Sequence, residues 1–245
     1  YLAKREAEKG FNNWAMRNVH AHKVPGYAAV TLSLKPTAVA PGDATDKQMD
    51  AAAELADRFS FGELRVTHQQ NLVLADVRQA DLHALWEAAK ELGFATPNIG
   101  LLTDIICCPG GDFCSLANAK SIPIAEALQR TFDDLDYLHD IGDLDLNISG
   151  CMNACGHHHV GHIGILGVDK KGAEFYQVSL GGDSGRNAAI GKILGPSFAA
   201  EDMPAVVTKV VDVYLEKRTP EENFIDTFQR IGMDPFKERV YAATH

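Results

Sequence analysis

Residues 63–77 read ELRVTHQQNLVLADV, and within them ELRVTHQ and NLVLADV read as two β-strands joined by a short turn. Both sides of this pair carry helical periodicity. Upstream, over Asp46 to Phe59, the apolar residues Met49, Ala52, Ala53, Ala56 and Phe59 fall on one helical face. Downstream, over Gln79 to Leu92, Leu82, Leu85, Trp86, Ala89 and Leu92 do the same. Ala28 to Lys35 (AAVTLSLK) alternates and is β-branched, so it reads as an earlier strand, and a loop rich in Pro and Gly follows from Pro36. A short apolar run, Leu101 to Ile106, is expected to supply a last strand. The order β-α-β-β-α-β predicts a ferredoxin-like domain over residues 1–100, a sheet with helices on one face.

The second half, residues 101–245, reads as an α/β domain with a mixed sheet, which makes the whole chain α+β. Ser121 is placed to cap a helix with Pro123 in its first turn and Ile124, Leu128 and Phe132 four residues apart. Strands are predicted around Leu144–Ser149, Val160–Val168 and Glu174–Leu180, the last with Tyr176, Val178 and Leu180 alternating. A helix opens at Asp202 and Pro204 and faces inward through Val206, Val210 and Val213; two shorter helices follow, Glu221–Ile231 and Pro235–Ala242.

The composition, 46% hydrophobic and 23% charged over 245 residues, is that of a folded globular chain with room for two cores. No apolar run approaches the ~20 residues that span a bilayer. The charged N-terminus does not read as a signal peptide, so a cytoplasmic, membrane-free location is expected. Because the chain begins at Tyr1, it is expected to be a piece of a longer protein. A formal net charge of -10 argues against nucleic acid or an anionic membrane as partner.

Five cysteines lie between positions 107 and 155. Such clustering points to metal or redox chemistry rather than to a disulfide scaffold. Cys108 and Cys114 are separated by five residues, Cys151 and Cys155 by three. The first spacing exceeds the commonest zinc pattern. Neither spacing is that of a dithiol oxidoreductase or of an attached c-type haem. Four thiolates from two loops suit a [4Fe-4S] cluster, whose ligand spacings vary widely. Gly110, Gly111, Gly150 and Gly156 would let backbone amides approach the cluster sulfurs. Cys107 has no obvious partner and is expected to pack beneath the loop. His157, His158, His159 and His162 are expected to line the site rather than to ligate.

CPGGDFC followed by CMNACG resembles the sirohaem and [4Fe-4S] signature of the nitrite and sulfite reductases. GELRVTHQQNLVLADV resembles that family's sirohaem-contacting hairpin, and YQVSLGG the strand and Gly turn after the second cysteine pair; the likeness runs from Trp14 to the C-terminus. The resemblance is to the C-terminal half of the haemoprotein beta component. It implies that Cys108, Cys114, Cys151 and Cys155 hold the cluster and that Cys155 also bridges to the sirohaem iron. It implies that Thr67, Gln70, Asn71 and Asn153 stand close to the macrocycle. The implied reaction is the six-electron reduction of sulfite to sulfide or nitrite to ammonia, with ferredoxin or a flavoprotein as electron donor.

Family members carry most of their substrate-binding and proton-delivering basic groups in the N-terminal half, which is therefore an expected partner. This chain has 23 Lys and Arg against 33 acids, and Lys120, Lys170 and Lys171 look solvated. Arg65 on the hairpin either points at the cofactor or is exposed. An isolated half would leave its pairing face open, so a homodimer is expected. The rival readings are a complete small sulfite reductase, a structural zinc module and a cluster-bearing electron-transfer module.

Overall fold

Charged residues dominate Leu2–Ala7 (α1), none of which is buried, whereas Lys9–Asn18 (α2) turns Phe11, Trp14 and Ala15 inward. These helices open the first of two units, Tyr1–Gly100 and Leu101–His245. The structure is a computed structural model and describes residues 1–185 and 187–242. Val19–Ala21 (β1) and Tyr27–Leu32 (β2) follow, then Asp46–Phe59 (α3), Leu64–Val66 (β3), Leu72–Arg78 (β4) and Leu82–Glu91 (α4). The hairpin and both flanking helices therefore form where the hydrophobic pattern places them. α3 starts where Thr45 and Gln48 close a reciprocal capping box: the Thr45 hydroxyl accepts from the Gln48 amide (3.2 Å), and the Gln48 side chain accepts from the Thr45 amide (3.0 Å). Its buried face is Ala52, Leu55, Ala56 and Phe59. Met49 is 46% exposed and Ala53 is also exposed, so the inward stripe lies slightly to one side of the expected one.

The sheet of this unit has the order β1-β2-β4-β3, with every pair antiparallel. The edge beside β2 is thus held by β1, not by the Leu101–Ile106 run. That run was expected to close the sheet, but Leu101, Leu102 and Ile105 are buried in the core of the second unit. A short continuous apolar run fits any core equally well, and periodicity cannot say which. Between β2 and β4 the register shifts, Ala28 facing Val77 and Val30 facing Leu74. The extra residue on β4 keeps Leu72, Leu74 and Val77 on the buried face despite their uneven spacing.

The second unit opens with Ile106–Cys107 (β5), then Ile122–Thr131 (α5), Leu135–Ile141 (α6) and Leu146–Ser149 (β6). Ile163–Lys170 (β7), Ala173–Leu180 (β8) and Lys192–Ile193 (β9) complete a sheet of order β5-β6-β7-β8-β9. The first three strands run parallel and the last two add antiparallel, giving the mixed sheet. Met203–Lys217 (α7), Phe224–Ile231 (α8) and Asp234–Tyr241 (α9) follow. Val206, Val207, Val210, Val211 and Tyr214 of α7 join Ile148, Ile163, Ile165 and Val178 of the sheet in one core. Each such side chain contributes roughly 1.5–3 kcal/mol by leaving water.

Ser121 precedes α5, as expected, but makes no side-chain cap bond. Its hydroxyl turns instead to the cysteine loop.

Candidate metal centre at the cysteine loops

The parallel pairing of β5 with β6, Cys107 opposite Ile148, makes both chains leave the sheet at the same end. Cys108 is the first residue beyond β5, and Gly150 and Cys151 lie just beyond β6. The two cysteine segments are thereby docked on each other. The Cys108 amide donates to the Ile148 carbonyl (3.1 Å), and Asn118 and Ala119 donate to the Gly150 carbonyl (2.8 and 3.0 Å). The Gly150 amide in turn donates to Cys108 Sγ (3.1 Å), and the Ser121 hydroxyl stands 3.5 Å from the same sulfur. An amide aimed at a cysteine sulfur is the contact that stabilises a metal-bound thiolate.

Glycine is required here by space. A Cβ on Gly150 would lie 2.6 Å from the Ala119 carbonyl oxygen and 2.9 Å from the Gly110 Cα. On Gly156 it would lie 1.9 Å from the Ile148 oxygen and 3.2 Å from the Cys108 amide nitrogen. The second segment winds through two tight turns, Ala154 N to Cys151 O (3.1 Å) and His157 N to Ala154 O (2.8 Å). Ala154 and His157 both take left-handed backbone, φ 57° and 53°. Non-glycine residues adopt it at a cost of about 1 kcal/mol or more each.

Cys108 and Cys151 are buried, Cys114 is half-buried and Cys155 is exposed. Cys107 packs into the core as expected, its thiol donating to the Cys108 carbonyl (3.2 Å). Among the described residues no three Cys, His, Asp or Glu side chains converge on one point that could hold a metal ion. A tetrahedral zinc site, with Zn–S near 2.3 Å, demands such convergence. A cubane cluster spaces its thiolates further apart, one on each iron, while still gathering all four around a single cube. The donor set, the amide on Cys108 and the crowded glycine crossing all fit a cluster.

Of the histidines, His158 is buried and its Nδ1 has no hydrogen-bond partner among the described residues. Burial, with a smaller contribution from His159, pushes it down to about 4, so it is neutral at neutral pH. His157 and His159 are exposed. His162 Nδ1 accepts from the Asp145 amide (3.1 Å) near the start of β6, away from the cysteine segments in sequence and register. Asn153 is exposed on the second cysteine segment. Lys120 Nζ pairs with Asp112 (3.2 Å).

The hairpin residues belong to the first unit. Thr67 and Asn71 close the turn between β3 and β4: the Thr67 amide donates to the Asn71 carbonyl (3.0 Å) and the Asn71 amide to the Thr67 hydroxyl (3.1 Å). Asn71 is buried, and its side-chain oxygen accepts from the Leu34 amide (3.1 Å). Gln70 sits in left-handed backbone (φ 57°), half-buried at the tip. Beneath the loop Lys35 is almost wholly buried and donates to the Gln69 carbonyl. Arg65 is exposed and pairs with Glu63 (2.5 Å). The sequence reading missed Ser121 as a neighbour of Cys108, since a helix-start serine ordinarily signals a cap.

Residues 101–244 match the family described as the nitrite and sulphite reductase 4Fe-4S domain, and residues 20–92 match the nitrite/sulfite reductase ferredoxin-like half domain. The ferredoxin–nitrite reductase of Synechococcus elongatus is 28% identical over 210 residues, covering 81% of this chain and 39% of the relative. The sulfite reductase [ferredoxin] of Mycobacterium tuberculosis is 28% identical over 224 residues, covering 86% of this chain and 40% of the relative. The chain thus spans about two fifths of the length of these curated relatives. The structure of the M. tuberculosis NirA protein superposes with a TM-score of 0.71 at 26% identity, covering 90% of this chain and 41% of that one.

Proposed function

This chain belongs to the nitrite and sulphite reductase 4Fe-4S domain family, and from that premise we propose that it is the cofactor-carrying part of a sulfite or nitrite reductase. Cys108, Cys114, Cys151 and Cys155 are the ligands of its [4Fe-4S] cluster. Cys155, exposed at the end of its segment, is the thiolate shared with sirohaem. The cluster and sirohaem supply the electrons and the anion-binding iron for a six-electron reduction of sulfite to sulfide or nitrite to ammonia. The chain's own groups do the holding. The Gly150 amide stabilises the Cys108 thiolate, the glycine crossing keeps the two segments in register, and Asn153 on the second cysteine segment offers a polar contact to the macrocycle; Gln70, at the hairpin tip of the first unit, is a separate candidate for such a contact. Thr67 and Asn71 serve by shaping the hairpin turn, since their polar groups are engaged within it.

The observation that carries this reading is the docking of two cysteine segments through Gly150, whose amide faces Cys108 and whose carbonyl, in the next peptide unit, ties down the loop of Cys114. The basic groups that grip the anion belong to an N-terminal half. Arg65 and Lys120 here are spent on Glu63 and Asp112. The electron donor is ferredoxin, named in both relatives above, or a flavoprotein. The location proposed is the cytoplasm. Purified alone, the chain pairs with a second copy, and light scattering at low concentration showing a strict monomer refutes that part.

The test is anaerobic purification with iron and acid-labile sulfide counts, an absorption spectrum and an EPR spectrum of the reduced protein. A four-iron cluster signal, lost when any one of the four cysteines becomes serine, is expected. One equivalent of zinc with neither iron nor sulfide overturns the assignment.

A further inference from the structure

The return limb of the first cysteine loop, residues 118–120, is gripped from β8 by side chains that no cofactor role accounts for. Tyr176 is buried at 1% exposure, and its hydroxyl donates to the Lys120 carbonyl (2.7 Å). The Glu174 carboxylate accepts from the amide of the same residue (3.2 Å). Both polar groups of Lys120's backbone are therefore held by one strand. The strand is itself braced, because Tyr176 exchanges two backbone bonds of 2.8 Å with Phe198. Opposite Tyr176 on β7 lies Gly167, whose missing side chain makes room for the loops: a Cβ there would stand 2.8 Å from both the Ala119 Cβ and the Gly150 oxygen.

From that grip a continuous route leads to a cysteine sulfur. Lys120 follows Ala119, the Ala119 amide donates to the Gly150 carbonyl, and the Gly150 amide donates to Cys108 Sγ. The Gly150 carbonyl and the Gly150 N–H lie in neighbouring peptide planes that meet at the Gly150 Cα, so holding the carbonyl restrains the position of that Cα and, through it, the N–H that reaches Cys108. We propose that Tyr176 and Glu174 are positioning residues for the metal centre, clamping Lys120 so that the Gly150 amide stays aimed at Cys108. The pair thereby tunes the cluster's reduction potential. This rests on the cluster reading given above. An N–H···S bond stabilises the more negative, reduced form of a cluster, so its loss makes the potential more negative.

Tyr176→Phe keeps the buried ring and removes only the hydroxyl; Glu174→Ala removes an acceptor from an exposed side chain, which leaves folding intact. Tyr241→Phe is the control, since Tyr241 also donates to a carbonyl in this unit, that of Pro196, but does not touch the cysteine segments. In the cluster-free chain, amide exchange at 118, 119 and 150 should accelerate about fivefold to tenfold in Tyr176→Phe, the loss expected for one hydrogen bond. Exchange in α7 should stay unchanged. In the cluster-loaded protein the potential should move negative in Tyr176→Phe, which changes no charge, and stay put in the control, with iron and sulfide contents equal to wild type. Glu174→Ala is read by faster exchange at 118 and 119, because losing its charge by itself moves the potential positive. Unchanged exchange at those three amides together with an unchanged potential overturns the proposal. Should the wild type take up no cluster, the ligand assignment fails while the exchange measurement still decides whether the clamp holds.

Discussion

Gly156 offers the sharpest test of the crowded crossing, and the perturbation is a single methyl group. Gly156→Ala would put a Cβ 1.9 Å from the Ile148 oxygen, whereas ordinary van der Waals contact begins at 3.4 Å. Neither partner is a flexible side-chain end: the oxygen belongs to β6 and already accepts the Cys108 amide at 3.1 Å. Relief requires the Ile148 carbonyl and the Gly156 backbone to part by more than an ångström. That breaks the Cys108–Ile148 bond, leaving buried groups unpaired at about 1–3 kcal/mol, and strains the packing by about 1–3 kcal/mol more. A loss near 4 kcal/mol follows, within the range of severe single substitutions. Urea unfolding of the cluster-free chain by far-UV circular dichroism should show the midpoint about 2 M lower, for a slope near 2 kcal/mol/M. Gly172→Ala separates crowding from backbone strain. Gly172 has φ +84° with nothing within 4 Å, so its replacement should cost only about 1 kcal/mol. Equal midpoints for Gly156→Ala and wild type would refute the reasoning, because the Gly156 backbone would then be free to move off the Ile148 carbonyl.

Three further outcomes follow from particular contacts. His158 is held neutral in the fold at about 4 against 6.5 in the unfolded chain, so its contribution is complete above 6.5 and drains away as pH falls towards 4. About 1–3 kcal/mol should be lost across that window, and His158→Gln should flatten the pH dependence of the urea midpoint between 7 and 4.5. Asn71→Ala orphans the buried Leu34 amide, and thermal unfolding should report a loss of about 1–3 kcal/mol. Asn223→Ala removes a true cap, its side chain accepting from the Asp226 amide (3.0 Å), and should cost about 1 kcal/mol by the same measurement.

What could be read from the residues alone was whatever repeats along the chain or sits at a fixed spacing. α3 runs from Asp46 to Phe59 as its periodicity requires, because fourteen residues carry enough turns for the pattern to stand out. β3 and β4 appear where β-branched and aliphatic residues alternate. The two cysteine pairs, each bearing glycines, pointed to a thiolate site because no packing need explains them. β1 was invisible: its three residues, Val19–Ala21, are too few to show alternation.

Tertiary structure alone decided matters that depend on which distant segment arrives next door. It assigned Leu101, Leu102 and Ile105 to the second unit's core and handed the open edge of the first sheet to β1. It turned the Ser121 hydroxyl from an expected cap to the Cys108 sulfur, and it buried the Asn71 side chain against Leu34. It also made Gly150 and Gly156 points where backbone meets backbone. Local propensity is set by a residue's own torsions and near neighbours, so sequence can report it. A close approach between chains is set by the fold, and only there does the absence of a side chain acquire a reason.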